Sequence, residues 1–223
     1  MLDNNLPVLW SFRRCPYAMR ARLALKSAGW QVELREILLR DKPAAFLEIS
    51  QTATVPVLVR ADGQVIEESR DIMFWALEAG GDPEGWLSGW HQDRQATESF
   101  LDHLDGPFKT DLDKYKYATR FTTNKQDASE LARHHRASGA AFIRAIEDKL
   151  TAKDYLNGSA AGLADYAALP FVRQFRIADS DWFDQQDWPA VHHWLQAFLN
   201  SNRFADIMEK YTPWQPDGEP VLF

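Results

Sequence analysis

The residue pattern of the chain changes near residue 80. Up to that point, short runs of strand-forming residues alternate with short helical patterns, and beyond it the regular patterns are long and helical. The change falls at Gly80-Gly81-Asp82-Pro83, a sequence that ends a helix and is typical of a linker. A length of 223 residues also favours two domains over one. We therefore predict an α+β domain over residues 1–80, a linker over 81–89 and an all-α domain over 90–223.

The first domain is predicted to have the element order β-α-β-α-β-β-α. Its strand patterns lie at residues 7–12, 32–39, 55–59 and 65–67, and its helical patterns lie at 16–28, 42–49 and 71–79. Asp62-Gly63 separates the last two strand patterns and is a strong signal for an antiparallel hairpin. Pro16 suits the first position of a helix, and Gly29 suits the residue after its end.

The second domain is predicted to contain long helices only. Their patterns lie at residues 90–104, 127–150, 164–176 and 189–208, and Gly106-Pro107 marks a candidate break after the first of them. The tail from Thr212 onward is rich in proline, so we expect it to be irregular and to dock through Trp214 and Phe223.

Charge and composition exclude several classes of protein. A formal net charge of −7 and a pI near 5.4 argue against a general nucleic-acid binder, which needs a clustered Lys/Arg surface. The single cysteine cannot form an internal disulfide, so a reducing compartment is expected. Residues 1–7 lack the basic and apolar regions of a signal peptide, and no later run is apolar enough to cross a bilayer. We therefore expect a soluble, cytoplasmic protein that binds neither nucleic acid nor a membrane.

Cys15 carries the clearest chemical signal. It lies between a strand pattern and a helix that begins at Pro16, so it is expected at the N-cap, where unpaired N–H groups and the helix dipole stabilise a thiolate. Arg13 and Arg14 would add to this effect if their side chains turned toward the sulfur. We therefore expect the pKa of Cys15 to lie below that of a free thiol. The alternative is that Cys15 is a small buried apolar residue, as many free cysteines are.

The thiol of Cys15 has no second cysteine beside it. Ala18 stands where a dithiol redox site would have its resolving cysteine. A mixed disulfide on Cys15 would therefore need an external thiol to resolve it, and glutathione is the abundant candidate in the cytosol.

Two further pairs of residues are candidate ligand contacts. Pro56 could follow a cis bond, which would turn the backbone groups of Val55 toward an extended peptide ligand, although a trans proline that opens an edge strand fits equally well. Glu68-Ser69 precedes a helix, so the Ser69 hydroxyl and nearby N–H groups can receive a carboxylate while Glu68 receives an ammonium group. In isolation, a serine N-cap beside a solvated acid is the simpler interpretation of that pair.

Together these residues resemble the glutathione S-transferase family, and within it the cysteine-type, omega-like branch. The matching segments are Cys15-Pro16-Tyr17, Lys42-Pro43, Val55-Pro56 and Glu68-Ser69 and, in the second domain, Tyr155-Leu156-Asn157-Gly158, Leu163-Ala164-Asp165-Tyr166 and Pro170. The first four segments also have the spacing of the family pattern, and four correctly spaced matches identify the family more specifically than any one of them does. The resemblance implies a thioredoxin-like N-terminal domain followed by a helical-bundle C-terminal domain, the glutathione S-transferase fold.

The resemblance also implies a site and a reaction. Cys15 would be the catalytic residue that contacts or bonds the glutathione sulfur, and glutathione would be the co-substrate. The implied glutathione contacts are Tyr17, Leu39, Lys42, Val55, Pro56, Glu68 and Ser69. Other branches of the family use a serine or tyrosine to hydrogen-bond the glutathione thiolate. Ser11 and Tyr17 are candidates for that role here, but Cys15 is better placed in the sequence pattern. It implies thiol transfer, such as reduction of glutathione mixed disulfides or of dehydroascorbate, over conjugation of electrophiles.

The sequence departs from the family pattern at two places. Gly162 replaces the Ser or Thr that usually caps the core helix of the second domain, which removes a side-chain acceptor. Ser50-Gln51-Thr52-Ala53 replaces the common Asn-Pro-x-Gly before the Val-Pro pair, so the shape of that loop is not given by the resemblance.

Other functions are compatible with the same fold. Conjugation of glutathione to electrophiles is the alternative reaction, and a non-catalytic adaptor of the stringent starvation protein A type is the alternative class. Chloride intracellular channel proteins share a similar motif, but no segment here is apolar enough to span a bilayer. The complete set of Cys15, Pro56 and Glu68-Ser69 favours an enzyme.

The remaining expectations concern metals, the second substrate and assembly. His134-His135 and His192-His193 lack the spacing of metal ligands, so no metal is predicted. A small electrophile or disulfide is expected to bind against aromatic residues of the helical domain, such as Tyr115, Tyr117 or Phe171. The family resemblance implies a homodimer.

Overall fold

The computed structural model of the chain describes residues 6–223. The described residues divide into two compact units, one formed by residues 6–85 together with Ser201–Phe223 and the other by Trp86–Asn200. We predict a helical domain that extends to residue 223, whereas the structure places Ser201–Phe223 with the first unit. The cause is backbone pairing between the tail and the sheet of that unit.

The first unit contains a four-stranded mixed sheet. Its strands are β1 (Val8–Ser11), β2 (Glu33–Glu36), β3 (Val57–Val59) and β4 (Val65–Ile66), in the order β2-β1-β3-β4. β1 and β2 are parallel, with Ser11 beside Glu36, and the other two pairings are antiparallel. The predicted hairpin forms between β3 and β4, where Gly63 takes a φ of 85° that glycine adopts without strain.

Three helices complete the predicted order β-α-β-α-β-β-α. They are α1 (Pro16–Ser27), α2 (Ala44–Ile49) and α3 (Ser69–Ala79). α1 and α3 pack against each other, and Pro16 is the first residue of α1 as predicted. Arg20 and Arg22 on α1 are only 1% and 0% exposed. Because these two positions are about 200° apart around the helix, α1 is covered on both sides.

The sheet is buried on both faces near the end of β1. Trp10 lies on one face, where it packs against Phe46 of α2 and Trp214 of the tail with ring centroids 5.5 and 5.0 Å away. Side chains alternate along a strand, so Leu9 and Ser11 lie on the opposite face, and both are fully buried there. The carboxyl end of β1 is therefore inside the unit.

The second unit is helical, as predicted. Its helices are α4 (Ser88–Gln92), α5 (Arg94–His103), α6 (Lys109–Lys116), α7 (Lys125–Ala152), α8 (Leu163–Ala178), α9 (Ser180–Asp184) and α10 (Pro189–Leu199). Within residues 6–223, no helix is both long and apolar enough to cross a membrane.

Three helix predictions in this part of the chain are wrong. The pattern over residues 90–104 is not one helix, because α4 ends at Gln92 and Asp93 caps α5 by accepting the N–H of Ala96 at 2.9 Å. Gly106-Pro107 does not break the helical path, because Leu104–Phe108 form a π-helical turn that joins α5 to α6. Leu104 and Phe108 are fully buried, so packing holds the chain on that path. The pattern over residues 189–208 is not one helix, since α10 ends at Leu199 and the Ser201 hydroxyl caps a new helix by accepting the N–H of Phe204 at 3.1 Å.

A buried carboxylate organises the start of α8. Asp165 is 0% exposed and accepts hydrogen bonds from the N–H groups of Gly162 at 3.0 Å, Leu156 at 3.1 Å and the Trp194 indole at 2.9 Å. The N-cap is Gly162, as expected. A Cβ at that position would lie 3.0 Å from the Trp86 carbonyl oxygen, so the close approach of this backbone explains why glycine replaces Ser or Thr.

Two of the three aromatic residues that we expect to contact a second substrate belong to the core of the second unit. Phe171 is 0% exposed and Tyr115 is 9% exposed, while Tyr117 is half-buried. Burial, assisted by the charge of Asp179, raises the pKa of Tyr115 to about 12. Phe171 therefore packs α8 and is not available to a ligand.

The C-terminal segment covers the outer edge of β2. After α11 (Asn202–Ile207), the chain runs along the sheet, where Val32 and Phe223 exchange two backbone hydrogen bonds of 3.0 Å. The Trp214 N–H donates to the Glu36 carbonyl oxygen at 2.8 Å. The predicted docking through Trp214 and Phe223 is confirmed, and the edge strand is closed to other partners.

Candidate functional site

Cys15 is the N-cap residue of α1, as predicted. Its backbone is extended, with φ −74° and ψ 123°, and its carbonyl oxygen accepts the N–H of Met19 at 2.9 Å. The thiol is half-buried, and in the described structure it makes no hydrogen bond to the N–H groups of the first turn. The positive end of the helix dipole and nearby charges can stabilise a thiolate at this position.

The backbone of Val55 faces the thiol. The Val55-Pro56 bond is cis, which decides between the two alternatives left open by the sequence. The Cys15 S–H donates to the Val55 carbonyl oxygen, with Sγ and O 3.6 Å apart. Val55 is buried with Trp10 and Phe46, and Cys15 packs against this cluster. The hydrophobic core of the first unit thus positions the Val55 backbone beside the cysteine.

The loop before Val55 is fastened to β4 by Glu67, the residue that follows the strand. The Glu67 carboxylate accepts the Ser50 hydroxyl at 2.7 Å and the Thr52 hydroxyl at 3.3 Å. These hydrogen bonds, above all that from Ser50, lower the pKa of Glu67. Ala53, at the place where the family pattern has glycine, has a φ of 52° in the left-handed region. The replacement loop therefore keeps a left-handed residue without the glycine.

Replacing Ala53 by glycine is expected to stabilise the protein. The left-handed conformation costs alanine about 1–2 kcal/mol, and the greater freedom of glycine in the unfolded chain removes about half of the gain, leaving an increase of about 0.5–1 kcal/mol in the free energy of unfolding. Urea denaturation measures it. Ala45→Gly in α2 is the matched control and should lower the free energy of unfolding, because helical geometry favours alanine. A loss of stability in Ala53→Gly would contradict the backbone assignment.

The start of α3 offers groups of both signs. Ser69 is the first helical residue and Glu68 is the N-cap, so the simpler interpretation of Ser69 as the N-cap is wrong. The Ser69 hydroxyl is 2% exposed and accepts the Nε–H of Arg20 at 3.0 Å. It keeps its own O–H to donate. A ligand at this helix end would meet an O–H group, the first-turn N–H groups and the exposed carboxylate of Glu68.

The other predicted contacts lie around this core of residues. Tyr17 is on α1, half-buried, with the Arg20 guanidinium 5.1 Å from its ring centroid. Leu39 is 47% exposed and Lys42 is half-buried, and both belong to the connection between β2 and α2. In the described part of the chain no hydrogen bond joins Leu39 or Lys42 to the residues around Cys15. The structure thus places the Cys15 thiol beside the backbone of Val55-Pro56. Separately, Arg20 contacts both Tyr17 and Ser69.

Arg13 and Arg14 have partners of their own. The Arg13 guanidinium donates to the Met208 carbonyl oxygen at 3.1 Å, which ties the loop before Cys15 to the end of α11. The Arg14 guanidinium lies 5.4 Å from the ring centroid of Phe12. The guanidinium of Arg13 is therefore used to hold the loop in place.

Sequence reasoning missed the buried arginines of α1. Arg20 contacts Ser69, and Arg22 forms an ion pair with Glu36 of β2, with 3.5 Å between Nη2 and Oε2. The available signal was two arginines, two residues apart, in a helix without a polar face. Such a helix must bury at least one of them, and buried charges are expected to have partners.

Two of the histidines have partners within the second unit. His135 Nδ1 lies 2.6 Å from Asp111 Oδ1, and His192 stacks on Phe183 with ring centroids 5.5 Å apart. Among residues 6–223, no group of three His, Cys, Asp or Glu side chains is arranged to hold a metal ion.

The fold and the site define a class. A β-α-β-α-β-β-α unit with a cis-proline, a cysteine that caps its first helix and a following helical unit is characteristic of thioredoxin-like proteins that carry a helical domain. Two family models match the chain: the glutathione S-transferase N-terminal domain over residues 9–84 and the glutathione S-transferase C-terminal domain over residues 126–197. The chain belongs to the glutathione S-transferase family.

Individual relatives agree with this assignment. Rat glutathione S-transferase omega-1 is 39% identical over 94% of this chain and 88% of its own length. A Pseudomonas fluorescens glutathione transferase family member, solved with two glutathione bound, has a TM-score of 0.79 at 15% identity over 94% of this chain and 95% of its own. Glutathione transferase Omega 3C from Trametes versicolor has a TM-score of 0.74 at 20% identity over 92% and 90% of the two chains. At these identities the two solved structures support the fold alone.

Proposed function

We propose that this protein is a glutathione-dependent thiol transferase whose reacting group is the thiol of Cys15. The observation that carries the proposal is the position of Cys15. It is the N-cap residue of α1, and its sulfur lies 3.6 Å from the Val55 carbonyl oxygen. It is also the single cysteine of the sequence. The 39% identity to an omega-1 transferase supports the same reaction class.

Glutathione would bind the first unit as an extended peptide. Its γ-glutamyl carboxylate would accept the Ser69 O–H and the first N–H groups of α3, and its ammonium group would pair with Glu68. The Val55 backbone would pair with the cysteinyl residue by strand addition. Lys42 would approach the glycine carboxylate. This placement directs the glutathione sulfur to Cys15.

The reaction would proceed in two exchanges. The Cys15 thiolate attacks the glutathione sulfur of a mixed disulfide, so a Cys15–glutathione disulfide forms and the substrate leaves as a thiolate that takes a proton from water. A second glutathione, as its thiolate, attacks that disulfide and releases oxidised glutathione. The substrate sulfur is reduced to a thiol, the glutathionyl group of the mixed disulfide and the incoming glutathione leave together as oxidised glutathione, and Cys15 is regenerated as the thiolate.

A mass measurement tests this proposal. Incubation with oxidised glutathione should add one glutathione to the protein, on the peptide that contains Cys15, and reduced glutathione should remove it. Parallel assays of thiol transfer and of conjugation to an electrophile separate the two reactions. Conjugation without an adduct would overturn the thiol-transfer mechanism, and neither adduct nor glutathione binding would indicate the adaptor class.

Glu68→Ala is expected to weaken glutathione binding. The ammonium group would lose its carboxylate, which costs about 1–3 kcal/mol, a Kd about 5- to 150-fold higher in a calorimetric titration. Glutathione at millimolar concentration should also raise the melting temperature of the wild type more than that of the variant. The control is Glu78→Ala, which removes the same charge from the last turn of α3. Equal affinity of Glu68→Ala and the control would place the ammonium group elsewhere.

The proposal includes the second substrate and the assembly. We infer a small disulfide or electrophile as the second substrate and a homodimer as the form in solution, the latter from the family. Analytical ultracentrifugation of the full chain tests the oligomeric state.

A further inference from the structure

We propose that Arg22 is a positioning residue for Cys15: its buried guanidinium supplies the positive charge that stabilises the thiolate, and Glu36 sets how much of that charge is available. This inference rests on the proposed function of Cys15. Its starting point is a group of buried polar side chains that the binding of glutathione does not use.

The group consists of Ser11, Arg22 and Glu36 and is called here the Arg22 cluster. Ser11 and Glu36 are neighbours at the carboxyl ends of the parallel strands β1 and β2, so their side chains lie on the same face of the sheet. They are 0% and 8% exposed. Arg22 of α1 meets Glu36, with 3.5 Å between Nη2 and Oε2, while Nη1 donates to the Ile207 carbonyl oxygen at 2.9 Å.

The cluster connects directly to the loop that carries the thiol. Glu36 Oε1 accepts the backbone N–H of Arg13, two residues before Cys15, at 2.5 Å. Arg22 lies seven residues after Cys15, about two helical turns, which places both on one side of α1. Long helical side chains point back toward the N-terminus. The Arg22 guanidinium is therefore directed toward the helix end at which Cys15 lies.

The positive charge in the cluster is incompletely paired. In the described part of the chain, Arg22 Nε and Nη2, Glu36 Oε2 and Ser11 Oγ are buried without a hydrogen-bond partner. A buried ion pair is costly unless its remaining donors and acceptors are satisfied, so this pair is a poor device for stability alone. A guanidinium with unused donors can stabilise a second anion in addition to Glu36. We assign that role of second anion to the thiolate of Cys15.

The charges around the cluster agree with this role. Burial lowers the pKa of Arg22, and negative charge on Glu36 and Cys15 opposes that lowering. Burial also raises the pKa of Glu36, against the effect of Arg22 and of the Arg13 N–H. Cys15 and Glu36 therefore compete for one guanidinium.

Two other ionisable groups face the cluster. Arg13 on the loop adds positive charge on the side of Glu36. Tyr211 of the tail lies near Arg22, and burial together with the neighbouring Glu209 and Asp206 raises its pKa to about 12. The Tyr211 phenol is therefore neutral at the pH values at which the thiol titrates, and the balance is decided by Arg22 and Glu36.

The proposal predicts shifts of opposite sign. Without Arg22 the thiolate loses its cation, so the thiol pKa should rise by about one to two units, and alkylation at pH 6 should be about 10- to 100-fold slower. Without the negative charge of Glu36, more of the Arg22 charge acts on the thiolate of Cys15, so the thiol pKa should fall. A purely structural pair would give the same sign for both changes, because either substitution would loosen the same loop.

The experiment is iodoacetamide alkylation of Cys15 against pH in the full chain without glutathione. The variants are Arg22→Gln, Arg22→Lys and Glu36→Gln, with Glu33→Gln as control, because Glu33 is on the same strand and pairs with Arg35 at 2.7 Å. We expect a higher thiol pKa in Arg22→Gln, substantial recovery in Arg22→Lys, a lower pKa in Glu36→Gln and no change in the control. If Arg22→Gln does not fold, Glu36→Gln still tests the proposal, because an unchanged or raised thiol pKa in that variant would contradict it.

Failure of this inference is distinguishable from failure of the proposed function. An unchanged thiol pKa in Arg22→Gln, or shifts of the same sign in the Arg22 and Glu36 variants, would overturn the role of the cluster even if the glutathione adduct forms on Cys15. Opposite shifts would support it even if the adduct did not form, since the alkylation measurement uses no glutathione.

Discussion

Cys15→Ser is expected to abolish thiol transfer while leaving the fold and glutathione binding nearly intact. A serine hydroxyl cannot form the mixed disulfide, so the rate should fall by about a thousandfold or more, the scale on which the loss of a nucleophile acts. The side chain is half-buried at a helix end and is close in size to serine, so packing changes little. The transfer assay and calorimetric titration with glutathione compare the variant with the wild type.

The pH dependence of the wild type belongs to the same prediction. Alkylation of Cys15 should follow a pKa below about 8.5, the value of a free thiol. A hydroxyl at this position could also hydrogen-bond a bound glutathione thiolate, so Cys15→Ser is expected to gain conjugating activity that Cys15→Ala lacks. A wild-type pKa of about 8.5 or higher, together with full transfer activity in the Ser variant, would make Cys15 the buried apolar residue of the alternative interpretation.

The parts of the site that the sequence predicts are those fixed by neighbours in the chain. Cys15 is an N-cap because a strand ends before it and Pro16 can only begin a helix. The hairpin follows from Asp62-Gly63 in the same way, since the turn needs a residue that tolerates positive φ. Such features depend on a few adjacent residues, and the fold class could therefore be predicted from the pattern alone.

What the sequence does not reveal depends on residues that are distant in the chain. Arg22 becomes a buried partner of Glu36 only because β2 pairs with β1 beneath α1, and the tail joins the first unit through hydrogen bonds between Val32 and Phe223. Pro107 was expected to break a helix by its local chemistry, but the packing of its neighbours keeps a π-helical turn there. In each case tertiary contacts outweigh local preference.

The aromatic residues illustrate the same limit. Tyr115 and Phe171 were expected to contact a second substrate because the sequence marks them only as aromatic, and aromatic side chains serve cores and binding sites equally well. Their burial in the second unit decides for the core. Residues for the second substrate must therefore be sought among exposed positions, which periodicity does not distinguish.

Asp165→Ala is expected to cause a large loss of stability. The carboxylate accepts three N–H groups, from Leu156, Gly162 and Trp194, and these join the segment before α8 to α8 itself and to α10. With alanine the donors would be left buried without an acceptor, each at a cost of about 1–3 kcal/mol, part of which relaxation recovers. We expect the free energy of unfolding to fall by about 3–5 kcal/mol, on the scale of the loss of a buried polar network.

Two further substitutions separate the network from charge alone. Asp165→Asn keeps one acceptor oxygen in the same place but turns an amide N–H₂ group toward the other donors. It should therefore lower the free energy of unfolding by about 1–3 kcal/mol, less than Asp165→Ala. Asp184→Ala removes a carboxylate from the same unit that pairs with Arg176 at the surface, 2.6 Å apart, and should cost at most about 1 kcal/mol because solvent screens the pair. Urea denaturation followed by tryptophan fluorescence measures all three. If Asp165→Ala cost no more than Asp184→Ala, the buried carboxylate would not be what holds the start of α8.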